Sequence, residues 1–316
     1  MTIHRRALLG AAGLLAAPAL APGGRAQEGR TLRIGYQKYG TLVLLKGCGA
    51  LEARLRSEGV RVAWAEFPGG PQLLEALSAG AIDLGSTGEA PPIFAQAAGA
   101  PLVYLAHEPP APRGEAILVP KDSAVRDVTG LRGRKVALNR GSNVHYLLVR
   151  ALEAAGLGLR DVETVFLAPA DARVAFERKQ VDAWAIWDPF LAAAEAAGGT
   201  RALADGTGLV DNHQFYLAAE RFASSQPALV RAVLDAVAEV NAWVAGDIPA
   251  AARQLAPGTG IPAPILEVAL RRQSYGVSPL GEAVVAGQQR IADTFHTLGL
   301  LPRAVRVADA VRSIPA

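Results

Sequence analysis

The stretch Lys135-Val-Ala-Leu-Asn139-Arg-Gly141-Ser142-Asn143-Val-His145-Tyr146, running on into Leu147-Leu-Val-Arg-Ala-Leu-Glu153, decides how the rest of the chain is read. A short strand-like run ends at Asn139 and a glycine makes a tight turn. Val144, Leu147, Leu148, Ala151, Leu152 and Ala155 then recur at helical spacing. Ser142 or Asn143 stands where an N-cap belongs. A strand that turns sharply into a capped helix aims unpaired N–H groups, and the positive end of the helix dipole, at the space beyond the strand. Such a place suits an anion. No lysine follows the glycine in the P-loop pattern and the spacing is not GxGxxG, so nucleotide phosphates fit poorly. The plain alternative is that Ser142 and Asn143 do no more than cap a helix.

Outward from this unit, strand and helix alternate. Leu32–Tyr36, Val60–Trp64, Ala81–Gly85 and Leu102–Ala106 read as strands, and Leu42–Leu55, Pro71–Leu77 and Pro91–Ala97 as helices between them. Short connections in this rhythm predict a parallel sheet flanked by helices. Glu108-Pro-Pro-Ala-Pro-Arg-Gly114 breaks the rhythm and is a candidate hinge. The alternation then restarts with strands at 116–119, 135–138, 162–167 and 181–186, and a second crossing is expected near Asp211 to Phe215. Phe67 to Asp83 and Leu167 to Asp182 share one layout: a turn, a short amphipathic helix, then Ile-Asp or Val-Asp. Two lobes of similar construction follow. Beyond Leu217, segments opening near Pro227, Pro249, Pro264 and Pro279 read as amphipathic helices that pack on the first lobe.

Length and charge narrow the function. The chain has 316 residues and half are apolar, enough for two ordinary cores. His4-Arg5-Arg6, the apolar run Ala7–Ala21 and the small residues of Gly24-Arg25-Ala26 read as an export signal over residues 1–26, too short to span a membrane. The arginine pair favours the twin-arginine route. These residues carry three arginines and no acid, so the remainder balances 29 basic against 29 acidic side chains. That balance argues against nucleic acid as a partner. One cysteine forms no internal disulfide, and a periplasmic, disulfide-free monomer is expected.

In open parallel sheets ligands bind beyond the carboxyl ends of strands. The exits here are Tyr36-Gln37-Lys38, Ser86-Thr87-Gly88-Glu89, Asn139 to Tyr146, and Trp184-Ala-Ile-Trp187-Asp188. Thr87 is placed to cap the helix opening at Pro91, with Glu89 complementing its dipole. Trp184 reads as core, and Trp187, beside a turn, as either core or cleft wall. Catalysis has little support: HExxH, GxSxG and CxxC are absent, and His145 has no carboxylate partner in sequence. Cys48 fits a small buried hydrophobe better than a nucleophile acting with His145. Five histidines show no metal-ligand spacing. No cofactor and no metal are expected.

Together, Ile34-Gly-Tyr-Gln-Lys38, Glu66-Phe-Pro-Gly-Gly-Pro-Gln-Leu-Leu-Glu-Ala-Leu77, Gly85-Ser-Thr-Gly-Glu-Ala-Pro-Pro-Ile-Phe-Ala-Gln96, Gly141-Ser-Asn-Val-His-Tyr146, Trp187-Asp-Pro-Phe190, Ala204-Asp-Gly-Thr-Gly-Leu-Val-Asp-Asn212 and Phe215-Tyr216 carry a resemblance. They resemble the aliphatic sulfonate-binding proteins of ABC importers, within the nitrate, sulfonate and taurine group of solute receptors. The similarity spans about residues 30–218, and the family pattern has Asp where Glu89 stands. It implies a type II periplasmic binding protein fold of two α/β lobes, each a mainly parallel sheet flanked by helices. Lobe 1 would comprise residues 27–108 and 216–316, and lobe 2 residues 109–215. It implies an alkanesulfonate ligand in the cleft, delivered to a membrane permease. Carried over, Gln37, Ser86, Thr87, Gly88, Ser142, Asn143, His145 and Trp187 would face the cleft, with Glu89 and Asp188 beside them. A sulfonate is a monoanion without a proton, so neutral donors suit it. The rival readings are a receptor for taurine or nitrate, with Glu89 pairing taurine's ammonium, and a desulfinase on the same fold using Cys48.

Overall fold

The computed structural model describes residues 30–312, so the proposed export signal lies outside it. Among the described residues the strands are β1 (Thr31–Tyr36), β2 (Arg61–Glu66), β3 (Leu84–Thr87), β4 (Leu102–His107), β5 (Glu115–Pro120), β6 (Lys135–Leu138), β7 (Glu163–Phe166), β8 (Ala183–Trp187), β9 (Thr200–Asp205) and β10 (Phe215–Ala219). The helices between them are α1 (Thr41–Cys48), α2 (Ala50–Leu55), α3 (Gly70–Ser78), α4 (Ala90–Ala97), α5 (Asn143–Ala154), α6 (Pro169–Glu177) and α7 (Phe190–Ala196). After β10 come α8 (Glu220–Ser225), α9 (Pro227–Gly246), α10 (Ile248–Thr259), α11 (Ala263–Arg272) and α12 (Glu282–Thr297). None of these helices is long and apolar enough to cross a membrane.

The strands form two sheets, ordered β2-β1-β3-β10-β4 and β7-β6-β8-β5-β9. In the first, β10 runs antiparallel to both its neighbours, and in the second β5 does the same. The other strands run parallel, as the two-lobed type II binding protein fold requires. The reversed strands have a simple cause. β4 ends at His107 and β5 begins at Glu115, while β9 ends at Asp205 and β10 begins at Phe215. Each time, the chain leaves one sheet at its carboxyl edge and enters the other from the facing edge, so it must run against its new neighbours.

The repeat seen in the sequence is a structural one. Asp83 precedes β3 and accepts the Arg33 N–H on Oδ2 at 2.8 Å, while its own N–H donates to the Arg33 carbonyl at 2.8 Å. Asp182 precedes β8 and makes the same two bonds with Lys135, both 2.8 Å. Arg33 also pairs with Asp83, and Arg134 with Asp182 at 3.4 Å. Each aspartate fixes a parallel strand to its neighbour at the edge away from the cleft.

Helices α1, α9 and α10 cover one face of the first sheet, bringing Leu42, Leu45, Val233, Val237 and Leu255 against Leu32, Ile34 and Tyr216. The other face shares one apolar cluster with the second sheet, including Leu73, Ile93, Leu118, Val136, Leu147 and Ile186. The late helices pack on the first sheet as expected, and two of them also reach the second: Phe295 of α12 lies against His145 and Tyr146 of α5. Arg272 of α11 reaches across to Asp188 at 3.4 Å and Glu195 at 2.5 Å on the second.

Several sequence boundaries need correction. The helix expected over 42–55 is two, because Gly49 takes a left-handed conformation (φ 65°) and restarts the chain. The strands expected from 81 and 181 begin at 84 and 183, since the two aspartates spend their backbone on the bonds just described. The segment opening near Pro279 becomes helical only at Glu282. β9 escapes sequence reading because Thr-Arg-Ala-Leu-Ala-Asp has little β-branched content. It is an edge strand held by its pairing with β5.

Asp83→Ala is expected to lower the unfolding free energy by about 2 kcal/mol. Asp182→Ala should cost about 1 kcal/mol, because that carboxylate is 37% exposed against 11% for Asp83. Urea unfolding of both variants measures the difference.

Candidate functional site

The turn after β6 forms as its sequence predicts. Gly141 takes φ 71° and α5 starts at Asn143. Ser142 occupies the N-cap position without capping: its Oγ donates back to the Asn139 carbonyl at 2.7 Å. Asn143 instead reaches out of its own helix. Its Oδ1 accepts the N–H of Ala90, the first residue of α4, at 3.2 Å. Its Nδ2 donates to Asn212 Oδ1 at 2.6 Å, and Asn212 Nδ2 donates to the Ala111 carbonyl at 2.9 Å. One amide therefore joins two helix N-termini from different sheets to both crossing segments. The approach is so close that a Cβ on Gly88 would lie 2.1 Å from Asn143 Nδ2. Thr87 does not cap α4 as expected; its hydroxyl donates to the Gly88 carbonyl at 3.1 Å.

Beside this junction is a small, partly open cavity of about 30 Å³. Gln37, Tyr39, Gly70, Gly88 and Pro91 line it from the first sheet, and Glu115, Ser142, Asn143 and Trp187 from the second. Asn212 and Gln214, on the return crossing, complete the wall. Gln37 is held by donation of Nε2 to the Ser86 carbonyl at 3.1 Å. Amide, hydroxyl and indole groups dominate, and no lysine, arginine or histidine lines the space. The Tyr39 hydroxyl and Glu115 Oε2 are buried without a partner. Such a lining holds a small group rich in acceptors. Of its two hydroxyls, Ser142 donates to the Asn139 carbonyl and Tyr39 has no partner among the described residues.

The NMT1-like family profile matches residues 25–257. An aliphatic sulfonates-binding protein of Escherichia coli (strain K12) is 44% identical over 305 residues, 96% of this chain and 95% of that protein. The chain belongs to the NMT1-like family, among its aliphatic sulfonate-binding proteins. Two solved members of this group superpose closely. The alkanesulfonate-binding protein from Xanthomonas axonopodis pv. citri, bound to MOPS, gives a TM-score of 0.85 at 43% identity, covering 90% of this chain and 98% of that one. The periplasmic aliphatic sulphonate binding protein from Escherichia coli gives 0.80 at 45% identity, covering 89% and 97%.

Of the residues expected to face the cleft, Gln37, Gly88, Ser142, Asn143 and Trp187 line the cavity together. Ser86 and Thr87 are buried behind it, Ser86 lending its carbonyl to Gln37. His145 turns the other way, among Phe94, Phe166 and Phe295, with Nδ1 accepting the Gly141 N–H at 3.2 Å. Burial and the nearby Arg140 push its pKa down to about 4, so the ring is neutral and its proton sits on Nε2. Asp188 is fully buried and accepts from the Ala192 N–H at 3.0 Å and from Arg272. It caps α7 and ties down α11, and burial raises its pKa to about 6.

Glu89 also leaves the cavity. Its Oε1 accepts the His213 N–H at 2.9 Å, and the side chain borders a separate groove of about 1120 Å³ lined by Arg150, Asp211 and Arg290. Burial, reinforced by Asp211, raises its pKa to about 8. Ligand atoms of Glu89, Asp211 and His213 come within 4.8 Å of one another, a grouping no sequence spacing displays. Its buried members already have partners in the chain, since His213 Nδ1 lies 2.8 Å from the Glu108 carbonyl. Sequence reading missed Tyr39, Gly70, Pro91, Glu115, Asn212 and Gln214. It searched strand exits, whereas Glu115 opens a reversed strand and Asn212 and Gln214 lie on a crossing.

Two outcomes follow. Gly88→Ala should displace the Asn143 amide and cost about 1–3 kcal/mol in urea unfolding, with the loss of a bridging contact visible in a crystal structure. Glu89 holds a proton in the folded state that the unfolded chain releases between pH 4.5 and about 8. Stability should therefore fall as pH rises through that window. Glu89→Gln should flatten the fall and, on the order of a few kcal/mol, be the more stable protein at pH 8.

Proposed function

We propose that this chain is the periplasmic solute receptor of an ABC importer for aliphatic sulfonates, holding the sulfonate headgroup between its two sheets. The observation that carries this is a cavity at two facing helix N-termini, lined by neutral amides and hydroxyls and floored by Trp187, in a member of the sulfonate-binding group. A sulfonate has three acceptor oxygens and one delocalised charge. Uncharged donors in a dry site hold it without the desolvation that a buried cation would add. Trp187 and Tyr39 offer flat apolar surface to an alkyl tail. MOPS, bound by the Xanthomonas relative, is itself a propanesulfonate.

The cavity is small, so the ligand enters by separation of the lobes. Residues 27–108 with 216–316 form one moving body and 109–215 the other, hinged at the two crossings. Residues 1–26 direct export through the twin-arginine route, and the loaded receptor docks on an inner-membrane permease as a monomer. Binding without chemistry fits the position of Cys48. It ends α1, its Sγ donates to the Leu45 carbonyl at 3.2 Å, and it does not line the cavity.

Calorimetry with methane- to octanesulfonate, beside taurine, sulfate and nitrate, tests this. Alkanesulfonates should bind most tightly. Trp187→Ala should weaken longer chains by about tenfold, the equivalent of roughly 1.4 kcal/mol of lost apolar contact. Cys48→Ser should bind as the wild type does, and neither protein should release sulfite. Sulfite release that vanishes with the thiol would defeat the receptor reading.

A further inference from the structure

Glu115 presents a conflict. It opens β5, directly opposite Trp187 in the ladder with β8, and is 1% exposed. It lines the cavity, and its Oε2 has no hydrogen-bond partner and no contact with solvent. No cation lines the same space. An ionised carboxylate here would be an uncompensated buried charge, and it would stand against the negative headgroup the cavity otherwise suits. A sulfonate has no proton with which to bridge two anions.

We infer that Glu115 meets the ligand as a neutral carboxylic acid, donating its O–H to a sulfonate oxygen, and that the site accepts the anion only in this protonated form. The inference rests on the sulfonate-receptor reading and deepens it. One proton removes both difficulties: it cancels the buried charge and turns the orphaned oxygen into a donor.

The surroundings act in the same direction. Burial raises the Glu115 pKa well above the usual carboxylate range, and Glu89, at the start of α4, adds to it only once it is itself ionised at alkaline pH. Tyr39, on the loop after β1, feels Glu115 together with Asp188, Glu108 and Tyr275, so these acids and phenols share one buried region. On β9, Asp205 pairs with Ala116, the next residue along β5. The one cation among these groups, Arg272, is bound to Asp188 and Glu195. The groups named here are acids and phenols apart from Arg272, already engaged, while Arg113, two residues before Glu115, is exposed to solvent.

The experiment is calorimetry of the mature protein with ethanesulfonate from pH 5 to pH 9. Wild-type Kd should be level at low pH and then rise by up to about tenfold per pH unit once the carboxyl ionises. Glu115→Gln keeps a donor of similar shape and should bind with a flat profile, whereas Glu115→Ala should bind weakly at every pH. Glu89→Gln, which lies outside the cavity, should keep the same limiting slope, with the rise beginning at the same or a lower pH because a charge that opposes Glu115 ionisation is gone. An infrared difference spectrum of the wild type needs no variant: ethanesulfonate should shift the C=O band of a protonated carboxyl group at neutral pH. A flat wild-type profile, or an equal slope in Glu115→Gln, overturns the inference while leaving the receptor reading intact. Taurine binding that tightens as pH rises also overturns it, by revealing an ionised partner for the ammonium. No sulfonate binding at any pH defeats the receptor reading itself, and this inference with it.

Discussion

A chain that passes twice between two sheets, both times at their facing edges, cannot keep all its strands parallel. β5 and β10 enter from the cleft and run backwards, and much else depends on that constraint. It puts the first residue of β5, Glu115, at the cavity beside the last residue of β8, Trp187. It also draws the returning crossing, with Asn212 and Gln214, across the mouth of both sheets. The ligand space is enclosed by strand ends of both directions, not only by the carboxyl ends that open α/β sheets usually offer.

The Asn143 amide is the hydrogen-bonded expression of the same arrangement. It leaves its own helix and caps α4, while Asn212 anchors it to the opposite crossing. Gly88 lacks a side chain where that amide must lie. The contact spans the two sheets and borders the cavity. A second connection, from Arg272 to Asp188 and Glu195, joins the sheets at their flank. Both links are polar, and they stand beside an apolar cluster that also runs from one sheet to the other.

The buried acids follow a division of labour. Asp188 has an arginine and a backbone N–H, and Glu89 has the His213 N–H. Glu115 alone among the three reaches the cavity, with one oxygen unpartnered. The polar side chains around it are amides, hydroxyls and an indole, so nothing among them offsets a negative charge on it.

The sequence by itself determined the alternating elements, the two-lobed type II fold through its resemblance, and the turn at Gly141. It also determined five of the cavity's residues, Gln37, Gly88, Ser142, Asn143 and Trp187, because local periodicity and turn chemistry are written in neighbouring residues. The paired aspartates, Asp83 and Asp182, were legible for the same reason. Only the tertiary structure decided which way each side chain of those motifs points. It turned His145 into an aromatic cage, sent Glu89 to His213, and gave Asp188 to α7 and Arg272. It also supplied Glu115, Tyr39 and Asn212, which sequence reading did not single out even though Asn212 closes one of the stretches that carry the resemblance. Direction and partnership across the cleft depend on how two sheets far apart in the chain meet, and no short window of residues records that meeting.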